Sequence, residues 1–103
     1  MSTTQKSLEQ LRQIFTEMDE KTRQAEQDAE AIRQFIERFA LMEQNVKELE
    51  AYYQESWMED VEALEAQAPG EYFYCTNQDA IWNAAQDIYL QKIALLKRLA
   101  DSL

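Results

Sequence analysis

Leu8-Glu9-Gln10-Leu11-Arg12-Gln13-Ile14-Phe15-Thr16-Glu17-Met18 is the stretch that decides the fold. Leu8, Leu11, Phe15 and Met18 recur at alternating steps of three and four. The rhythm continues through Thr22, Ala25, Ala29, Ile32, Ile36 and Phe39. Such steps hold side chains on one stripe of an α-helix, and over several heptads they make a coiled-coil seam. The middle of this seam is small, because Thr22, Ala25 and Ala29 replace large apolar groups. Another helix can approach closely there, or the packing is thin.

C-terminal to Phe39 the stripe changes phase. Two successive steps of three, Ile36 to Phe39 to Met42, lead into a second set: Met42, Val46, Leu49, Tyr53, Trp57, Val61 and Leu64. A shift of this kind moves the apolar face around the helix. Residues 1–67 contain neither Gly nor Pro. One uninterrupted helix of that length would extend roughly 100 Å at about 1.5 Å per residue. Two helices folded back on each other cover their apolar faces more economically, so a break is expected near residues 40–46, with Asn45 as the best local turn former. Ser2, Thr3 or Thr4 is expected to cap the first helix.

Ala68-Pro69-Gly70 is the clear punctuation. Glu71-Tyr72-Phe73-Tyr74-Cys75 reads as an aromatic connector. Thr76-Asn77-Gln78-Asp79 reads as a helix start, with Thr76 at the N-cap. In the last helix Ile81, Ala85, Ile88, Leu95 and Leu99 share a face that Trp82, Tyr89, Ile93, Leu96 and Leu103 widen. The expectation is therefore an all-α single domain over residues 1–103. Its helices are placed at about 4–42, 46–67 and 77–102, with a connector at 68–76. They would form a long helical hairpin with a C-terminal helix packed against it, a three-helix antiparallel bundle.

Composition agrees. One Gly and one Pro in 103 residues leave too few turn formers for an all-β fold. The hydrophobic fraction of 46% and the charged fraction of 29% are those of a folded chain. The formal net charge is −10, which repels nucleic acid and anionic lipid and favours basic partners. No apolar run approaches the ~18–20 residues of a membrane helix, and the first residues lack the apolar core of a signal peptide. A cytoplasmic location is expected. The lone Cys75 cannot form an internal disulfide, which fits a reducing compartment. It reads as a half-buried small apolar residue.

The charge is concentrated. Between Glu43 and Asp79 ten acids face one base, Lys47, giving −9 of the −10. Eight of the eleven aromatic residues fall between Tyr52 and Tyr89. Tyr53 and Trp57 stand one turn apart on the apolar face, while Tyr52 lies about 100° around the helix. Glu48, Glu55, Glu59 and Glu62 are spaced to gather on an outer face. The plainer reading is core aromatics beside a solvated acidic face. The functional reading is an acidic, aromatic-edged docking surface of Glu48, Tyr52, Glu55, Glu59, Asp60, Glu62, Tyr72 and Tyr74, with aromatics as anchors and acids selecting a basic protein.

The residues from Leu49 through Tyr52-Tyr53 and Trp57 to Asp60, then Pro69, then Thr76-Asn77-Gln78-Asp79-Ala80-Ile81-Trp82, resemble a small bacterial family described as domain of unknown function 4298. Its members look similar: a long acidic amphipathic N-terminal region, a Leu-Glu-x-Tyr-Tyr segment followed by Trp and Asp, and a Ser-Glu-Asp-like start to a final helix. The resemblance covers roughly residues 8–100. It implies an all-helical fold and supplies no activity. Here Thr76-Asn77-Gln78-Asp79 stands in place of the more acidic turn, and Gly70-Glu71-Tyr72-Phe73-Tyr74-Cys75 in place of a Gly-rich approach.

The chain has no His, so the commonest general base and zinc ligand is missing. No phosphate loop, nucleophile elbow or Cys pair is present. Glu55, Glu59 and Glu62 could in principle form a carboxylate metal site, but helical Glu at this spacing is ordinarily surface charge. The expectation is a non-enzymatic module without cofactor or metal, monomeric or weakly dimeric. It would act as an inhibitor, antidote or adaptor on a basic partner such as a toxin or a nucleic-acid-binding protein. Two other readings stand beside it: a nucleic-acid mimic that occupies a DNA- or RNA-binding protein, and a homo-oligomeric coiled-coil scaffold.

Overall fold

A computed structural model describes residues 5–103. The described chain is all-α: α1 spans Leu8–Glu55, α2 spans Trp57–Gln67, and α3 spans Ala80–Ser102, with a single 3₁₀ turn at Tyr74–Thr76 before α3. Ser7 and Gln10 start α1 with a reciprocal capping box. The Gln10 amide donates to Ser7 Oγ at 3.1 Å, and the Ser7 amide donates to Gln10 Oε1 at 2.9 Å, satisfying two of the N–H groups a helix end leaves open. The cap expected of Ser2, Thr3 or Thr4 falls outside the described residues.

The expected break near residues 40–46 is corrected, because α1 is unbroken through that stretch, Asn45 included. Two steps of three rotate an apolar stripe without interrupting the backbone, and one exposed Asn costs only a few tenths of a kcal/mol in a helix. The interruption comes instead at Ser56, with φ −130° and ψ −17°. Helical hydrogen bonds continue on both sides of it: the Ser56 amide donates to the Tyr52 carbonyl at 2.9 Å, and the Asp60 amide to the Ser56 carbonyl at 3.0 Å. A one-residue interruption of this kind cannot reverse the chain, so the first two helices do not make the expected hairpin. The reversal belongs to the segment after α2. There the Glu71 amide donates to the Ala68 carbonyl at 3.0 Å, with Pro69 and Gly70 in the middle of the turn. Gly70 has φ +86°, and a Cβ there would meet nothing within 4 Å. Glycine is therefore required by backbone conformation, not by space, as at the third position of a type II turn.

The last helix begins three residues later than expected, at Ala80. The Thr76 hydroxyl donates to the Phe73 carbonyl at 2.6 Å and accepts the Phe73 amide at 3.2 Å. That closes a 3₁₀ turn instead of capping a helix. Asn77 Oδ1 then accepts the Asp79 amide at 2.9 Å, and Asp79 is the N-cap residue of α3.

The chain divides into two units, residues up to Ala40 and Leu41–Leu103. The reason is visible in burial. Between residues 5 and 40 no side chain is buried, so the N-terminal part of α1 has no core of its own. Leu8, Phe15, Ile32 and Ile36 are each more than 60% exposed.

In the second unit Val46, Ala80 and Ile81 are buried. Around them Leu49, Tyr53, Trp57, Val61, Leu64, Ala85, Ile88, Ile93 and Leu95 are half-buried. The second apolar stripe thus faces the core as expected, except that Met42 stays exposed. α3 runs back along residues 41–55 of α1, and Lys92 Nζ pairs with Glu43 Oε2 at 3.0 Å. The widening residues Trp82, Tyr89, Leu96 and Leu103 are exposed. With so thin a core, cross-links between segments carry a large share of the structure.

Candidate functional site

The interruption at Ser56 organises the site. Tyr53 and Trp57 lie on either side of it with ring centroids 5.1 Å apart and planes tilted by 34°. The Trp57 Nε1–H donates to the Cys75 carbonyl at 2.7 Å. A single ring therefore joins α1, α2 and the connector. Cys75 is exposed, which corrects its reading as a half-buried apolar residue. The connector uses its backbone carbonyl, and the thiol is left outside.

On another side of the interruption the Tyr52 hydroxyl donates to Asp60 Oδ2 at 2.8 Å. Tyr52 thus spans from the end of α1 to the first turn of α2. That hydrogen bond holds the Tyr52 phenol above its ordinary value of 10.0, because ionisation would break the donation and set two anions side by side.

All eight residues expected at the docking surface are exposed: Glu48, Tyr52, Glu55, Glu59, Asp60, Glu62, Tyr72 and Tyr74. They do not form one constellation. Glu55, Glu59 and Glu62 come together along a shallow groove of about 330 Å³ that Tyr53, Gln54, Trp57 and Met58 complete. No base lines it, and Met58 is 66% exposed. Tyr52 and Asp60 are bonded to each other and line neither this groove nor the one between α1 and α3. Glu48 accepts a hydrogen bond from Gln44 at 3.2 Å and also stands apart. Tyr72 and Tyr74 project from the connector, the latter 76% exposed. Among the described residues no group of three His, Cys, Asp or Glu side chains is arranged to hold a metal ion.

A larger groove of about 540 Å³ runs between α1 and α3, lined by Glu50, Tyr53, Gln54, Ile81, Trp82, Ala85, Gln86 and Tyr89. Sequence reasoning missed it. By spacing Trp82 and Tyr89 belong to the apolar face that packs, yet they are 57% and 58% exposed. The available signal was that Trp82, Tyr89 and Leu96 form a second strip beside Ile81, Ala85, Ile88 and Leu95, and the two together are too wide for one neighbouring helix to cover. Tyr53 and Gln54 border both grooves, so the two share a wall.

No described helix is long and apolar enough to cross a membrane. No curated protein and no solved structure gives a significant match to the chain. The family model for Domain of unknown function (DUF4298) matches residues 15–98. That span contains the Tyr52-Tyr53 pair, the Ser56 interruption, the Pro69-Gly70 turn and the start of α3, and the chain belongs to this family.

Proposed function

We propose that the chain is a non-enzymatic binding module whose second unit docks a basic partner protein, as an inhibitor, antidote or adaptor. In this reading the helices of residues 41–103 work as a small antiparallel bundle. The bundle presents Glu55, Glu59 and Glu62 beside Met58, Tyr53 and Trp57. The observation that carries the reading is the groove in which three carboxylates and an exposed thioether share a border with two aromatic rings and no cation.

Aromatic and Met side chains are favoured anchors at protein interfaces, and flanking acids raise the encounter rate with cationic surfaces. The second groove, with exposed Trp82 and Tyr89, shares Tyr53 and offers further apolar area to the same partner. A nucleic-acid mimic would be better served by carboxylates in long regular rows than by three gathered around an apolar patch. The localised patch therefore favours the module.

The test compares three immobilised baits in native cytosol: the natural chain, Glu55→Lys/Glu59→Lys/Glu62→Lys, and Glu9→Lys/Glu17→Lys/Glu37→Lys. A protein retained by the first and third baits, lost from the second and eluted by salt is the expected partner. Identical retention on all three would refute docking at the groove.

A further inference from the structure

The first unit presents a problem of its own. From Leu8 to Ile36 the helix carries a strict seam of large apolar residues at both ends, and no side chain in that stretch is buried. Helices in water draw most of their stability from packing an apolar face, and bare ones are marginal. A seam that keeps Leu8, Phe15, Ile32 and Ile36 more than 60% exposed therefore calls for an occupant. The residues flanking the seam say which occupant fits.

Taking Leu8, Phe15, Thr22, Ala29 and Ile36 as a positions, and Leu11, Met18, Ala25 and Ile32 as d positions, Arg12, Asp19, Glu26 and Arg33 fall at e. Ser7, Ile14, Lys21, Asp28 and Phe35 fall at g. In a parallel, in-register pair each g residue meets the e residue five positions further along the other chain, and these contacts set orientation. The resulting pairs are Ser7 with Arg12, Ile14 with Asp19, Lys21 with Glu26, Asp28 with Arg33, and Phe35 with Ala40. Both charged pairs are attractive, and none sets like charges together.

The antiparallel pair that overlaps the whole seam instead brings e against e and g against g. Arg12 then faces Arg33 and Asp19 faces Glu26; Ile14 meets Phe35, but of the three charged pairs only Lys21 with Asp28 is favourable. Two unlike neighbours on the same helix do not stand in the way of the parallel pair. Arg33 is bonded to Glu30 at 2.8 Å and Asp28 accepts from Gln24 at 2.8 Å, but all four side chains are exposed, where such contacts are worth little and rearrange readily.

We propose that the seam Leu8–Ile36 docks on the same seam of a second copy of this chain, as a parallel, in-register, two-stranded coiled coil. Lys21–Glu26 and Asp28–Arg33 pairs between chains fix its orientation. The surface is separate from the acidic groove of the second unit, so the pairing holds or fails independently of the proposed partner. The small centre at Thr22, Ala25 and Ala29 lets the two backbones approach but contributes little apolar area. The dimer is accordingly reversible, not obligate.

Cross-linking tests both pairing and direction. Leu11→Cys and Ile36→Cys are each made in a Cys75→Ser background. Parallel register sets the two copies of residue 11 face to face, within the ~4.4–6.8 Å Cα separation a disulfide spans. Antiparallel register sets them 25 residues apart, roughly 37 Å at ~1.5 Å per residue. Each variant alone should oxidise to a covalent dimer, while Gln13→Cys on the outer face should not. Cross-linking only when the two variants are mixed, or equal cross-linking by Gln13→Cys, would overturn the proposal. By sedimentation equilibrium, Lys21→Glu should weaken the natural dimer about tenfold, and adding Glu26→Lys should restore it. A natural chain that stays monomeric at sub-millimolar concentration would also overturn it.

Discussion

Trp57 is the most informative single residue to replace, because its two contacts can be removed separately. Trp57→Phe keeps a ring against Tyr53 but deletes the N–H that donates to the Cys75 carbonyl at 2.7 Å. That carbonyl lies on an exposed stretch and can be rehydrated, so the loss is that of one ordinary hydrogen bond, about 1 kcal/mol. Trp57→Ala removes the ring as well. A Trp side chain can bury ~150–250 Å². Trp57 is half-buried, so about 100 Å² is lost, or ~2.5 kcal/mol at ~25 cal/mol per Å². The Tyr53 contact at 5.1 Å adds ~0.5–1.5 kcal/mol, and the hydrogen bond adds about one more. Residual burial in the denatured chain lowers the total to about 3 kcal/mol. Urea unfolding followed by circular dichroism measures both. Amide hydrogen exchange should show Glu71–Asp79 loosened in either variant. An Ala variant within ~0.5 kcal/mol of the natural chain, with the connector still protected, would refute the view that this ring pins the unit together. A stable Ala variant that no longer binds its partner would move Trp57 from scaffold to interface.

Other outcomes follow from single features of the same unit. Gly70→Ala should destabilise by about 1 kcal/mol, read as a lower urea midpoint, because φ +86° is unfavourable for any residue with a Cβ. Ile81→Ala should cost about 2–3 kcal/mol by the same assay, since Ile81 is the most buried large side chain among the described residues. Tyr52 titrates above its ordinary value because it donates to Asp60. Its contribution to stability is therefore complete below the unfolded pKa near 10 and is lost as pH rises through the folded value. Asp60→Asn should move the tyrosinate absorbance of Tyr52 to lower pH. An unchanged titration would mean that the bond does not form in solution.

Much of this structure was legible from residue spacing, and the parts that were not share a cause. The stripe from Val46 to Leu64 faces the core because steps of three and four place side chains on one side of a helix whatever the tertiary context. The turn at Pro69-Gly70 was equally visible, since local chemistry alone forces it. The break was harder. Asn45 is a good turn former that sits comfortably on an exposed helical face, whereas Ser56 interrupts the helix without any marked local signal. What distinguishes Ser56 is its surroundings: the Tyr52 hydroxyl reaches across it to Asp60 and the Trp57 ring beyond it is held by the Cys75 carbonyl, contacts that no property of Ser56 itself announces. Thr76 failed as a cap for a similar reason, its hydroxyl being taken by Phe73. At the site, Glu55, Glu59 and Glu62 gathered as their spacing implied. Tyr52 and Asp60 instead satisfied each other, and the groove beside Trp82 required knowing how little of α3 is covered.

The carboxylate groove as a docking surface is tested most directly by association kinetics with the captured partner across a salt series. The natural chain is compared with Glu55→Lys/Glu59→Lys/Glu62→Lys and with Glu9→Lys/Glu17→Lys/Glu37→Lys. Both triple variants change net charge equally, and Lys is about as good a helix former as Glu, so circular dichroism should be unaltered. Attraction between separated charges is screened over a Debye length of ~10 Å at 0.1 M salt. The groove variant should therefore associate at least about tenfold more slowly at low salt, with a flattened salt dependence, while the N-terminal variant stays close to the natural chain. Equal slowing of both would show that net charge alone governs the encounter, and an unchanged groove variant would show that Glu55, Glu59 and Glu62 are only a solvated face.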